Sequence, residues 1–225
     1  CRTGLQPGDD RRNLLFINNW NNTFSESAAD YGVDDPSPSN HANFFDYDND
    51  GDLDLYVLNF PADFDLAHRM DLEKLPSGKI TRNTKPHTEF DSDRLYRNNG
   101  FTPAPPGTTP APSAPAGKPF TDISKQAGID NRAFGLSSLA LDWNGDHYPD
   151  ILVANDYLEP DFFYINNRNG AFTDQTHKSF RHISAHTMGT DAADINGDGL
   201  PDLLALDMLA EEYPRQKRLT TVMLN

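Results

Sequence analysis

The sequence predicts an all-β chain built from one repeated multi-stranded unit. Three observations carry this: a recurring aromatic-x-Asn-Asn tetrapeptide, a recurring Asp-rich loop, and an apolar run directly after each loop. The runs are Leu53-Asp-Leu-Tyr-Val-Leu58, Ile151-Leu-Val-Ala154 and Leu203-Leu-Ala-Leu206. Segments this short, bounded by turn residues, read as buried strands rather than helices.

The tetrapeptide lies in Leu15-Phe-Ile-Asn-Asn19, Leu95-Tyr-Arg-Asn-Asn99 and Phe163-Tyr-Ile-Asn-Asn167. Each copy reads as a strand ending in a turn, with Asn supplying the left-handed conformation. A phenylalanine-led segment follows each one, at Phe24, Phe120 and Phe172. The stretch before each loop, such as Gly135–Leu141, reads as a further strand. Helical turns are expected only around Ser27–Tyr31 and Ile123–Ala127. Tetrapeptide and loop are 31 residues apart in the first copy (15 to 46) and the third (163 to 194). The second copy is longer because a Pro/Ala/Gly/Thr tract, about 102–118, interrupts it. A polar, charged insertion, about 61–93, separates the first loop from the second tetrapeptide. The last two loops, uninterrupted, begin 52 residues apart (142 to 194). An all-β repeat of that length with three or four strands fits a propeller blade. Closed propellers have about four to eight blades, so residues 1–225 are expected to form an arc of about three blades. On that reading Cys1 is an internal residue of a longer repeat protein. The competing reading makes it the acylated first residue of a lipoprotein.

Composition narrows the function. Of the 34 acidic residues 28 are Asp and 6 are Glu, and the formal charge is -15. Asp favours turns and hard-cation sites, whereas helical acidity comes mostly as Glu. A phosphate-binding surface needs clustered Lys and Arg, so nucleic acid is excluded as a partner. No apolar run approaches 18 residues, so no membrane-spanning helix is expected. The single cysteine excludes both a disulfide framework and a multi-thiolate zinc site.

The chemistry concentrates in the three loops, which align as Asp46–Asp54, Asp142–Asp150 and Asp194–Asp202. Oxygen-bearing side chains recur at positions 1, 3, 5 and 9. These are Asp46, Asp48, Asp50 and Asp54, then Asp142, Asn144, Asp146 and Asp150, then Asp194, Asn196, Asp198 and Asp202. The carbonyl at position 7 (Asp52, Tyr148, Leu200) adds a further ligand. Such a set supplies the six to eight oxygens that Ca2+ requires, so up to three calcium ions are expected. Mg2+ prefers a stricter octahedron with retained waters. An EF-hand would need a Glu at position 12 and flanking helices, but position 12 is Val57, Val153 and Ala205. The second loop departs from the others, with His147 in place of the position-6 glycine.

The Asp-x-Asp/Asn-x-Asp-Gly-x-x-Asp loop before a strand resembles the FG-GAP/VCBS repeat, the calcium-loop blade of integrin α-subunit propellers. Phe134-Gly135 and Met188-Gly189 are similar to its Phe-Gly pair. Phe44–Tyr56, Arg181–Ser184 and Met188–Gly199 are similar to bacterial VCBS-repeat lipoproteins related to the cartilage acidic protein (ASPIC/UnbV) family. The resemblance implies an arc of a larger, seven-bladed propeller, bound calcium, and an extracytoplasmic place, at the bacterial outer-membrane surface or secreted. It implies as partners a SusC/SusD-type outer-membrane complex, another surface protein, or a glycan. It implies no catalytic activity.

Catalytic candidates are weak. His182 and His186 have metal-pair spacing but no accompanying Glu, and no Gly-x-Ser-x-Gly elbow occurs. Trp20, Tyr47, Trp143 and Tyr157 are read as blade packing ahead of sugar stacking. The leading function is a calcium-binding propeller module for binding or scaffolding. The alternative is the propeller part of a polysaccharide-degrading enzyme.

Overall fold

The computed structural model describes residues 12–63, 66, 72–74, 78, 80–100, 117–157, 160–181, 183–184 and 186–208. Cys1, most of the 102–118 tract, His68 and His182 fall outside them. The elements are β1 (Phe16–Asn18), β2 (Phe24–Glu26), α1 (Ala28–Tyr31), β3 (Ser39–Phe45), β4 (Asp54–Asn59), β5 (Leu72–Lys74) and β6 (Ile80–Arg82). There follow β7 (Arg94–Asn98), β8 (Phe120–Asp122), β9 (Phe134–Leu141), β10 (Asp150–Asp156), β11 (Phe162–Asn166), β12 (Phe172–Asp174), α2 (Thr176–Ser179), β13 (Thr187–Ala193) and β14 (Asp202–Asp207).

Apart from the single-turn helices α1 and α2, the elements named above among the described residues are all strands. Two antiparallel four-stranded sheets, β3-β4-β7-β8 and β9-β10-β11-β12, are complete blades. The pair β1-β2 repeats the last two strands of a blade, and β13-β14 the first two. The described residues thus form an open arc of blades, with no closed ring. Register repeats as well as order: Leu55 faces Tyr96 in the first blade as Ile151 faces Tyr164 in the second. The pairs β3-β4, β9-β10 and β13-β14 carry an irregularity at the same place, near Ser39/His41, Ala154/Asn155 and Thr187/Gly189. Ile123–Ala127 closes one turn through Ala127 N–H to the Ile123 carbonyl, 2.8 Å, but is no helix. The helix α2 lies where no helical turn was expected.

The continuous apolar runs have a direct cause. In β4, Tyr56 and Leu58 enter one core with Ile151, Val153 and Tyr164, while Leu55 and Val57 enter another with Val33, Tyr96 and Phe120. A strand buried on both faces needs apolar side chains at every position rather than alternate ones. The third run differs. Leu204 and Leu206 are 55% and 58% exposed, because no further sheet covers that face of β14 among the described residues.

A polar pair, unrecognised in the sequence, locks the second strand of each blade to the third. In the first blade Asn59 N–H donates to Asp93 Oδ1 (2.9 Å), and Asn59 Nδ2 donates to the Ser92 carbonyl (2.8 Å). Asp93 Oδ2 also accepts from the Tyr56 hydroxyl and Asn131 Nδ2, both at 2.8 Å. In the second blade Asn155 N–H donates to Asp161 Oδ1 (2.8 Å), and Asn155 Nδ2 to the Pro160 carbonyl (2.6 Å). Within 61–93, β5-β6 forms a hairpin of its own, and Asp91–Asp93 enters the interior. The segment is held by the buried Arg132, whose guanidinium donates to the Asn83 and Lys85 carbonyls (2.6 and 3.2 Å).

Burial pushes the Asp93 carboxyl up to about 6 even though Asn59, Asn131 and Tyr56 donate to it. Burial likewise raises Asp161 to about 6 against the Asn155 amide. The unfolded value is about 3.9. A carboxyl whose folded pKa is raised contributes stability that is complete below the unfolded value and is lost as pH rises through the folded one. Between about pH 4 and 6 these two groups therefore make the fold less stable as pH rises. Thermal melts in EDTA should show the Asp93→Asn, Asp161→Asn double variant with a flatter pH dependence over that window. Asp93→Ala, which strands three buried donors, should lose about 3 kcal/mol at pH 7.

Candidate metal centre

The three loops share one backbone design. Positions 4 and 6 are left-handed in each: Asn49 and Gly51 (φ 60 and 94), Gly145 and His147 (φ 76 and 71), Gly197 and Gly199 (φ 77 and 86). The double turn brings amides round onto the position-1 carboxylate. Asp46 accepts from Asp50 and Gly51 N–H (3.2 and 3.0 Å). Asp142 accepts from Gly145, Asp146 and His147 N–H (2.8, 3.0 and 2.7 Å), and Asp194 from Gly197, Asp198 and Gly199 N–H (2.7, 3.1 and 2.8 Å). Partial burial pushes Asp142 up, but its amides outweigh that and hold it below the usual range. The Gly199 amide leads the same lowering at Asp194. Position 5 accepts from the position-7 amide: Asp50 from Asp52, Asp146 from Tyr148, Asp198 from Leu200 (3.1, 2.9 and 2.9 Å). His147 takes a conformation that strains any residue with a Cβ.

The position-9 carboxylates act as latches. Asp54 is fully buried; its Oδ2 accepts from Tyr47 N–H (3.0 Å) and its Oδ1 from Asn98 N–H on β7 (2.8 Å). Asp150 repeats this with Trp143 and Asn166 (3.3 and 2.8 Å), and the Asp202 Oδ2 accepts from Ile195 N–H (3.0 Å). Burial raises Asp54 to about 7 and Asp150 to about 6, against the amides they accept.

The first Asn of the second and third tetrapeptides answers these latches, which corrects its expected role. The Asn98 and Asn166 side chains donate to the Leu53 and Pro149 carbonyls (3.1 Å each). Neither Asn of the tetrapeptide is left-handed. The residue after the pair is: Trp20, Gly100 and Arg168, at φ 64, 80 and 59. Asn18 and Asn166 set up that turn by accepting from the Trp20 and Arg168 amides (2.8 and 2.9 Å).

Only the first loop gathers three carboxylates. Oxygens of Asp46, Asp48 and Asp50 all lie within 4.8 Å of one another. Asp48 Oδ1 and Asp52 Oδ1 are buried without a hydrogen-bond donor among the described residues. Burial first, then the neighbouring Asp50, raises both Asp48 and Asp52. Three convergent carboxylates beside orphaned buried oxygens form a donor set that a hard divalent cation fits. In the second loop Asp146 Oδ2 accepts instead from Arg168 Nε (3.0 Å). In the third, Asn196 Nδ2 donates to Asp198 Oδ2 (3.0 Å). Loops one and two are tied together: Asn49 Nδ2 donates to the His147 carbonyl (2.9 Å), and Asn166 Nδ2 to the Tyr47 carbonyl (2.8 Å).

Other candidates have structural partners. His186 is buried with its Nδ1 2.9 Å from Asp156 Oδ1. Tyr157 packs edge-on against Phe134, and Trp143 against Phe163 (4.7 and 6.1 Å). Tyr47 is buried, whereas Trp20 is 74% exposed. No helix among the described residues is long and apolar enough to cross a membrane.

Removing the Asp54 latch strands two amides, so Asp54→Ala should lose about 2 kcal/mol or more in EDTA. Asp48→Asn relieves repulsion and breaks no latch, so its melting temperature in EDTA should equal or exceed that of the unsubstituted protein. Parallel melts of the two variants check this contrast.

Comparison with curated proteins finds no match. The profile of the FG-GAP-like repeat matches residues 142–205, from the second loop through β10, β11, β12 and the third loop into β14. The chain therefore carries an FG-GAP-like repeat, one loop-to-loop period of its propeller-type blades.

Proposed function

We propose that this chain is a calcium-binding β-propeller module that serves in binding or scaffolding at a bacterial cell surface or in a secreted protein. The observation that carries the reading is the first loop, where Asp46, Asp48 and Asp50 converge within 4.8 Å beside the orphaned oxygens of Asp48 and Asp52. Asp46, Asp48, Asp50 and the Asp52 carbonyl would hold the ion, with Asp54 closing the loop onto its strand. The second and third loops offer Asp142, Asn144, Asp146, Tyr148 and Asp150, and Asp194, Asn196, Asp198, Leu200 and Asp202, in the same order. The ion's contribution is charge neutralisation and rigidity. Rigid loops at the blade ends support the module's use as a docking platform, for which a surface protein such as a SusC/SusD-type complex, or a glycan, is the proposed partner.

A ligand that binds only the folded state stabilises it by RT ln(1 + [L]/Kd). With Kd of roughly 0.1 to 1 mM, as in extracellular calcium modules, about 1 mM calcium adds about 0.4 to 1.4 kcal/mol per site. Melting temperatures should therefore rise between excess EDTA and millimolar calcium, and elemental analysis should find bound calcium. Asp46→Ala should lose more of the gain than Asp142→Ala. Identical melts in the two conditions, with no calcium retained, would end the calcium reading.

A further inference from the structure

In the two complete blades the turn after the Asn pair lies beside the blade's own loop, and its third residue differs between them. In the first blade that residue is Gly100, whose amide hydrogen-bonds the Asp52 carboxylate. With no side chain at Gly100, an open cleft of about 610 Å³ remains, lined among others by Asp48, Asp50, Arg97, Asn98 and Lys118. Nothing lies within 4 Å of where a Cβ on Gly100 would stand. In the second blade the equivalent residue is Arg168, at φ 59 against 80 for Gly100. Its Nε is 3.0 Å from Asp146 Oδ2, and the Asp146 side chain is 11% exposed. The other Asp146 oxygen accepts from Tyr148 N–H, so both oxygens of this carboxylate are engaged. In the first loop no Lys, Arg or His among the described residues forms an ion pair with Asp46, Asp48, Asp50, Asp52 or Asp54.

We infer that Arg168 is a tethered counter-cation for the second loop, competing with a divalent ion for Asp146, and that Gly100 keeps the first loop open. The turn residue thus sets the order of filling: the first loop binds calcium directly, while the second binds only as the guanidinium leaves Asp146. The inference rests on the calcium reading for its affinity part. Its electrostatic part stands on the ion pair alone, because a guanidinium held beside an acidic loop neutralises it with no metal present.

The test exchanges the two residues in the full chain, as Arg168→Gly and Gly100→Arg. Gly100→Arg adds backbone strain at φ 80 and Arg168→Gly relieves it at φ 59, so Arg168→Gln, which keeps a side chain there, isolates the charge. Calcium chloride titrations follow binding by calorimetry. Terbium emission excited through Trp143, the second residue of the second loop, reports that loop. Arg168→Gly and Arg168→Gln should each strengthen binding at the second loop about two- to fivefold, and Arg168→Gln should lower the melting temperature in EDTA. Gly100→Arg should weaken the tightest site by a similar factor. Titrations and EDTA melts that match the unsubstituted protein for Arg168→Gln would overturn the inference, whether or not Gly100→Arg folds. If no variant takes up calcium, the calcium reading fails. The counter-cation is then decided by the EDTA melts alone: a lower value for Arg168→Gln upholds it and an unchanged one overturns it.

Discussion

Each complete blade hangs on a buried carboxylate at the ninth position of its loop. Asp54 and Asp150 accept one amide from the start of their own loop and one from the third strand of the sheet. A single side chain thereby closes the loop, begins the second strand and fixes the register of the third. Burial opposes the charge, so the carboxylate is tolerated only because it replaces water by amides held in place. The far end of the same strand repeats the device with Asn59 and Asp93, and with Asn155 and Asp161. Between the two polar ends lies a strand with apolar side chains on both faces. Polar ends fix the register, and the apolar middle supplies the burial that holds neighbouring sheets together.

The loop's shape precedes any ion. Two left-handed residues turn the chain so that amides face the first carboxylate, and this pattern holds in all three loops despite their different side chains. What differs is how each loop meets its own charge. The first leaves carboxylate oxygens unanswered, the second uses Arg168, and the third uses the amide of Asn196 in an exposed setting. One backbone therefore carries three electrostatic solutions, and the loop sequence alone does not separate them. Arg168 lies 22 residues from Asp146 and reaches it only because the third strand returns beside the second.

The fold was legible because its signals are local and repeated. Apolar runs after the loops, the Asn pairs and the Phe-led segments each mark a strand that the structure contains. Three features were hidden for physical reasons. The left-handed residue follows the Asn pair because an Asx turn displaces the unusual conformation onto the next residue, even when that residue is Trp or Arg. The Asn59–Asp93 pair spans an insertion, so no spacing rule reveals it, although Asp two residues before the aromatic motif recurs at Asp93 and Asp161. The third apolar run is written like the other two, yet Leu204 and Leu206 stand exposed. A sequence records that a strand is made for burial, but which surface buries it is decided by neighbours.

Loop and core are joined at the seam between the blades. The Tyr47 carbonyl accepts from Asn166 of the next sheet, while its ring belongs to the core shared by both blades. The same residue donates its amide to the Asp54 latch. Asn49 adds a second tie, onto the backbone of the second loop. A change of charge within the first loop is therefore felt by a residue that is at once loop, latch and interblade core. Rigid packing transmits such a change rather than absorbing it, because close-packed interiors yield little. Neutralising the loop would stiffen the seam and not the loop alone, so the arrangement of neighbouring blades is the property that a cation bound there would alter most.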